Sequence, residues 1–128
     1  MRTRRPTFAQ LPAEFKRRIT RDGIKPNQLR EAAFRRVIRS IPKGKVSTYG
    51  RVAAAAGYPL YHRAVARLLR IEPGALPWHR VVGAGGEIKL RGAGSAEQRL
   101  RLGMEKVRFR GRRVDMAAHE YALRPWEE

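Results

Sequence analysis

Residues 77 to 82 read Pro77-Trp78-His79-Arg80-Val81-Val82, an imidazole and a guanidinium directly following an indole. Imidazole is the side chain suited to acid–base work near neutral pH, but such work needs a reacting partner. No nucleophile, metal site or phosphate-binding glycine loop accompanies His79, and the 128 residues contain no cysteine. Thiolate attack requires a sulfur with a lowered pKa and a nearby base, whereas an indole offers one N–H donor and no usable lone pair. The histidines, His62, His79 and His119, lack metal-ligand spacing, and without cysteine there are neither disulfides nor thiolate zinc sites. No cofactor or metal is expected. What Trp78 can do is wall a pocket, where an apolar group exchanges water for aromatic surface at ~25 cal/mol per Å².

The charge balance names the class of partner. Lys plus Arg number 29 against 11 Asp plus Glu, a net charge of +18, with arginine predominating. Such a chain repels itself and attracts polyanions, so nucleic acid is the expected partner ahead of a membrane surface. No apolar run approaches the ~20 residues of a membrane span, and Met1-Arg2-Thr3-Arg4-Arg5 lacks the apolar stretch of a signal peptide. A cytoplasmic, nucleoid-associated monomer is the expectation.

The elements that must position these residues are mainly helical. Residues 1–25 read as a basic extension, 26–110 as the folded domain and 111–128 as a C-terminal extension. Pro26-Asn27 opens a helix whose Leu29, Ala33, Phe34, Val37, Ile38 and Ile41 share one face, and Pro42-Lys43-Gly44-Lys45 stops it. Ser47 or Thr48 can cap a short helix through the Ala53–Ala56 run, which ends at Gly57 and Pro59. A third helix from about Leu60 to Arg70 buries Ala64, Val65, Leu68 and Leu69. These two helices read as a helix-turn-helix, with the second presented to DNA. Beyond Gly74, residues 87–90 read as a small hairpin or returning strand, and Ser95 with Gln98 as a capping box for a last helix through Met104.

Three strips in order carry a resemblance: Ile41-Pro42-Lys43-Gly44-Lys45-Val46-Ser47-Thr48-Tyr49-Gly50, then Arg63-Ala64-Val65, then Pro77-Trp78-His79-Arg80-Val81. Over roughly residues 28–110 the chain resembles the DNA-binding domain of O6-alkylguanine-DNA alkyltransferases. With Trp78 in the place of the reactive cysteine, it resembles the alkyltransferase-like proteins in particular. The resemblance implies a winged helix-turn-helix-like domain of the alkyltransferase C-terminal type that binds alkylated guanine through the minor groove, without alkyl transfer. It assigns Tyr49 to the phosphate 3′ of a flipped nucleotide, whose loss of stacking and pairing costs a few kcal/mol. Arg63 would fill the vacancy, since a guanidinium stacks on bases and bonds the orphaned partner. Ala64, small enough for close approach, and Arg67 complete the DNA-contact set. Trp78, Val81 and Arg91 would line the lesion pocket with Tyr49, Arg91 sensing the O6/N7 edge of guanine, and backbone at Gly92–Gly94 would complete its wall. His79, Arg80 and Glu105 would form a buried network inherited from catalysis. Nucleotide excision repair proteins are the implied partners.

Two departures from the family pattern stand out. The stretch from Arg63 to Trp78 is about two residues shorter than usual, and Glu72-Pro73 replaces a typical Asn-Pro pair. Three other readings compete. A helix-turn-helix regulator or nucleoid protein would not need the Pro77–Val81 strip. An RNA-binding accessory protein would want more exposed aromatics at stacking spacing. Residual catalysis by His79 and Glu105 would want a nucleophile or metal.

Overall fold

Pro26, which lacks an N–H and so costs nothing at a helix start, opens α1 (Pro26–Arg39) in the computed structural model. The structure describes residues 10, 12, 13, 26–72 and 74–125. The expected extension over 1–25 lies, but for those three residues, outside them, as do Pro73 and Trp126. α1 buries Phe34 and Ile38, and Ile41 continues the apolar face beyond the last turn.

After the Pro42–Lys45 turn comes β1 (Ser47–Thr48), then α2 (Tyr49–Ala55). Thr48 is the cap expected for α2, its Oγ1 accepting from Arg51 N–H at 3.1 Å. The end of α2 shows why a glycine stands there. Gly57, at φ +93°, donates to Ala54 O at 3.1 Å and Tyr58 N–H to Ala53 O at 2.9 Å, the pair of bonds of a Schellman stop. α3 (His62–Ile71) follows, burying Val65, Leu68 and Leu69. Arg35 of α1 donates to Glu72 just beyond α3 through Nε at 2.9 Å. This hydrogen bond raises the arginine pKa and lowers that of the carboxylate.

The Trp78–Arg80 strip forms one 3-10 turn and runs into β2 (Val81–Val82). β2 pairs parallel with β1, Ser47 opposite Val81 and Thr48 opposite Val82, an arrangement that needs a crossover, here α2 and α3. Because successive strand residues point to opposite faces, Val81 enters one core cluster with Phe34, Ile38 and Val65. Val82 enters another with Val46, Leu102, Val107 and Val114.

Residues 87–90 do not form the expected strand; Glu87 makes one bridge to Arg113, and Gly83 N–H closes the loop on Glu87 O at 2.7 Å. The loop hugs the strand beyond it so closely that a Cβ on Gly86 would lie 2.5 Å from Val114 O. The hairpin lies later, β3 (Phe109–Arg110) against β4 (Arg113–Val114), turning at Gly111 with φ +63°. Before it runs α4 (Gly92–Met104), which starts three residues ahead of Ser95. The Ser95–Gln98 capping box is therefore not used, and Gln98 is buried in the middle of the helix.

The described part of the 111–128 segment joins the same body. Val114 is core, and Val46 pairs with Glu120 at the end of α5 (Met116–His119), donating to His119 O at 2.9 Å and accepting from Tyr121 N–H at 2.7 Å. His119 accepts from Arg108 N–H at Nε2, 3.0 Å, which leaves Nδ1 to donate to Gly44 O, also at 3.0 Å. No helix among the described residues is long and apolar enough to cross a membrane.

A candidate nucleic-acid interface

Tyr49 is the first residue of α2 and Arg63 the second of α3, so the helix-turn-helix sets both side chains. The 3-10 turn brings Trp78 to the same place. The three line one largely apolar cavity of about 530 Å³, with Ala66 and Leu69 of α3 below and Leu90 and Gly94 across. Tyr49 is half-buried, and burial alone pushes its phenol pKa up, so it stays neutral. Arg63 is exposed. Arg63, Arg70 and Lys89 rim the apolar floor with the His62 imidazole, while Glu97 is the acid on the wall.

Not every expected pocket residue is there. Val81 is fully buried, because pairing with Ser47 turns its side chain into the core, and it forms no part of the cavity wall. Arg91 is exposed and stands just before the first turn of α4, with no side-chain capping bond; it is Lys89 and Leu90 before it that line the cavity. Of the Gly92–Gly94 backbone, Gly94 reaches the wall. Ala64 and Arg67 face a second groove of about 360 Å³ between α3 and α1, with Arg30 opposite and Arg63 on the ridge shared by both. Glu31 and Glu72 also line that groove, but Arg35 pairs with both. Arg30 lies over the Tyr61 ring at 5.0 Å.

Behind Trp78 lies the polar support of the strip. Glu105 accepts from His79 Nε2 at 2.9 Å, from Arg80 at 2.8 and 3.1 Å, and from Gly44 N–H at 3.3 Å. Burial pushes the Glu105 carboxyl up, but the donors from Arg80, His79 and Gly44 outweigh it and hold the pKa at about 2. Arg80 also donates to Ile41 O at 2.9 Å, tying the strip to the end of α1. The His79–Glu105 pair is the geometry of a general-base relay, yet Trp78 beside it presents no group to deprotonate.

Sequence reasoning missed Gln98, whose amide donates to His79 O at 3.2 Å and Val81 O at 3.0 Å. Its place opposite a capping serine masked that role. It also missed Arg101, whose guanidinium sits 5.5 Å from the Trp78 ring centre while bonded to Glu97. The i,i+4 spacing of Glu97 and Arg101 was visible, but not what lay beneath it.

These features coincide with what comparison finds. The model of the 6-O-methylguanine DNA methyltransferase DNA-binding domain matches residues 30–107, and the chain belongs to that family. It is 47% identical over 73 residues to a DNA base-flipping protein of Vibrio parahaemolyticus, covering 56% of this chain and 73% of that protein. It is 41% identical over 68 residues to alkyltransferase-like protein 1 of Schizosaccharomyces pombe, covering 52% of this chain. That match spans 63% of the yeast protein, just under two thirds of its length. The crystal structure of S. pombe Atl1 in complex with damaged DNA containing O6-carboxymethylguanine superposes with a TM-score of 0.64 at 29% identity, covering 73% of this chain and 94% of that one. The mainly helical fold expected from the sequence is the fold observed.

Proposed function

We propose that this protein recognises O6-alkylguanine in duplex DNA by minor-groove helix-turn-helix binding and nucleotide flipping, and leaves the lesion chemically unchanged. The observation that carries this reading is a largely apolar cavity lined by both Arg63 of the presented helix and Trp78 of the strip. A flipped alkylated base would rest against Trp78 and Tyr49, with Arg63 filling the gap left in the duplex and Arg91 approaching from the head of α4. Arg67 would hold the backbone. The names of the relatives, base-flipping and alkyltransferase-like, agree with this.

Trp78 stands, in this reading, where alkyltransferases carry the acceptor cysteine, and the chain has no cysteine at all. His79, Arg80 and Glu105 then serve to fix the strip. Binding without reversal helps a cell only if another machine acts, so a monomer bound to the lesion would flag it for nucleotide excision repair proteins at the nucleoid.

The test is competition binding at physiological salt between a duplex with one O6-methylguanine and the same duplex with guanine. A preference of about tenfold, ~1.4 kcal/mol, is expected. Equal binding would replace this reading with that of a general helix-turn-helix DNA-binding protein.

A further inference from the structure

Trp78 is held differently at its backbone and at its ring. Gln98 grips the carbonyls of His79 and Val81, fixing the turn that carries Trp78. The indole itself, among the described residues, makes no hydrogen bond; His79 meets it edge-on at 6.2 Å and the Arg101 guanidinium lies over it at 5.5 Å. Arg101 is in turn held by Glu97, with Nη2 at 2.9 Å and Nε at 3.3 Å from one carboxylate oxygen. Gly94, Glu97 and Arg101 fall at i, i+3 and i+7, so one side of α4 faces both the cavity and the ring.

We propose that Arg101, steadied by Glu97, is a positioning residue for the Trp78 ring and thereby sets which O6 adducts the cavity accepts. The inference rests on the lesion-binding reading above. An i,i+4 pair about half exposed, as this one is, contributes little to folding. A cation on an indole face favours the ring orientation it meets by about two- to fivefold. Because Trp78 walls the cavity, its orientation fixes the space left beside a bound purine.

The test uses a Trp126→Phe background, in which Trp78 is the remaining tryptophan. Arg101→Met removes the cation and keeps the stem, Arg101→Lys returns a cation, and Glu97→Gln removes the tether. Acrylamide quenching of Trp78 is read in the free protein, and binding is read on duplexes with guanine, O6-methylguanine or O6-benzylguanine. Arg101→Met is expected to raise quenching and to cut the O6-methylguanine preference about three- to fivefold, with the benzyl-to-methyl ratio changed. Arg101→Lys should restore much of both, and Glu97→Gln should fall between. Unchanged quenching in Arg101→Met would overturn the proposal, as would equal loss on all three duplexes, which would make Arg101 a backbone contact. A parent protein without lesion preference would overturn the proposed function instead, and quenching would then decide the positioning alone.

Discussion

The Arg80 guanidinium meets both carboxylate oxygens of Glu105, Nε at 3.1 Å from Oε1 and Nη2 at 2.8 Å from Oε2. A planar fork on a planar acceptor fixes direction as well as distance. With Gly44 N–H and His79 on the same carboxylate, one side chain joins the turn after α1, the 3-10 strip and the end of α4.

That carboxylate makes stability pH-dependent. Its pKa falls from an ordinary 4.5 to about 2 in the folded protein. A depressed carboxylate stabilises above its unfolded pKa, and the gain is lost as pH falls through the folded one. Urea unfolding should therefore show a loss approaching ~3 kcal/mol from Glu105 between about pH 5 and pH 2, with Glu105→Gln less stable at pH 7 and flatter over that range. An equally steep acid limb in the variant would place the acid sensitivity elsewhere.

Gln98→Leu keeps bulk in the buried middle of α4 but removes the donor shared by His79 O and Val81 O. Leaving buried carbonyls without that donor should cost about 2–4 kcal/mol. Chemical denaturation measures it, and a change under ~0.5 kcal/mol would mean water replaces the amide at no cost.

Arg63→Ala should lower the preference for O6-methylguanine more than it lowers affinity for undamaged duplex. At a charge of +18, undamaged binding is spread over many cations and weakens steeply with salt. Arg67→Ala should lower affinity on both duplexes alike and reduce the salt slope by about 1. Equal losses from Arg63→Ala would make it a phosphate contact as well.

Trp78→Cys places a thiol in the strip beside an intact His79–Glu105 pair. Little transfer is expected, because the Glu72 carboxylate is bound to Arg35 and, among the described residues, makes no hydrogen bond to the strip. Mass spectrometry after incubation with an O6-methylguanine duplex reads the result; a gain of one methyl on most of the protein would show that the scaffold supports chemistry.

Ending the chain at Arg110 should abolish cooperative folding. The cut removes β4, Val114 from the core and the His119 and Tyr121 bonds to Val46. A thermal transition unchanged by the truncation would show the segment to be an appendage.

The first half of the fold could be read because its signals are local. Pro26, Thr48 and Gly57 mark ends through their own backbone chemistry, and the apolar spacing of α1 and α3 fixes their buried faces. What escaped depends on pairing between distant residues. Val81 looks like a wall residue until Ser47 pairs with it and turns it inward, and Gln98 looks like a cap until helix α4 begins at Gly92. The segment after Arg110 carries no strong period, so its docking on Val46 is set by tertiary contacts. Tyr49 and Trp78 were legible as pocket residues and Arg63 as a DNA contact, but that all three line one cavity was not, and Arg101 and Lys89 acquire meaning through the cavity they adjoin.

The two-residue ladder between β1 and β2 has a mechanical consequence. Thr48 caps the helix that starts at Tyr49 and is also the partner of Val82, four residues after Trp78. A strand of DNA pressing on Tyr49 and a base pressing on Trp78 would thus load opposite arms of one short, hydrogen-bonded beam. In the proposed reading, backbone displacement and base shape would then be sensed through one shared pair of strands.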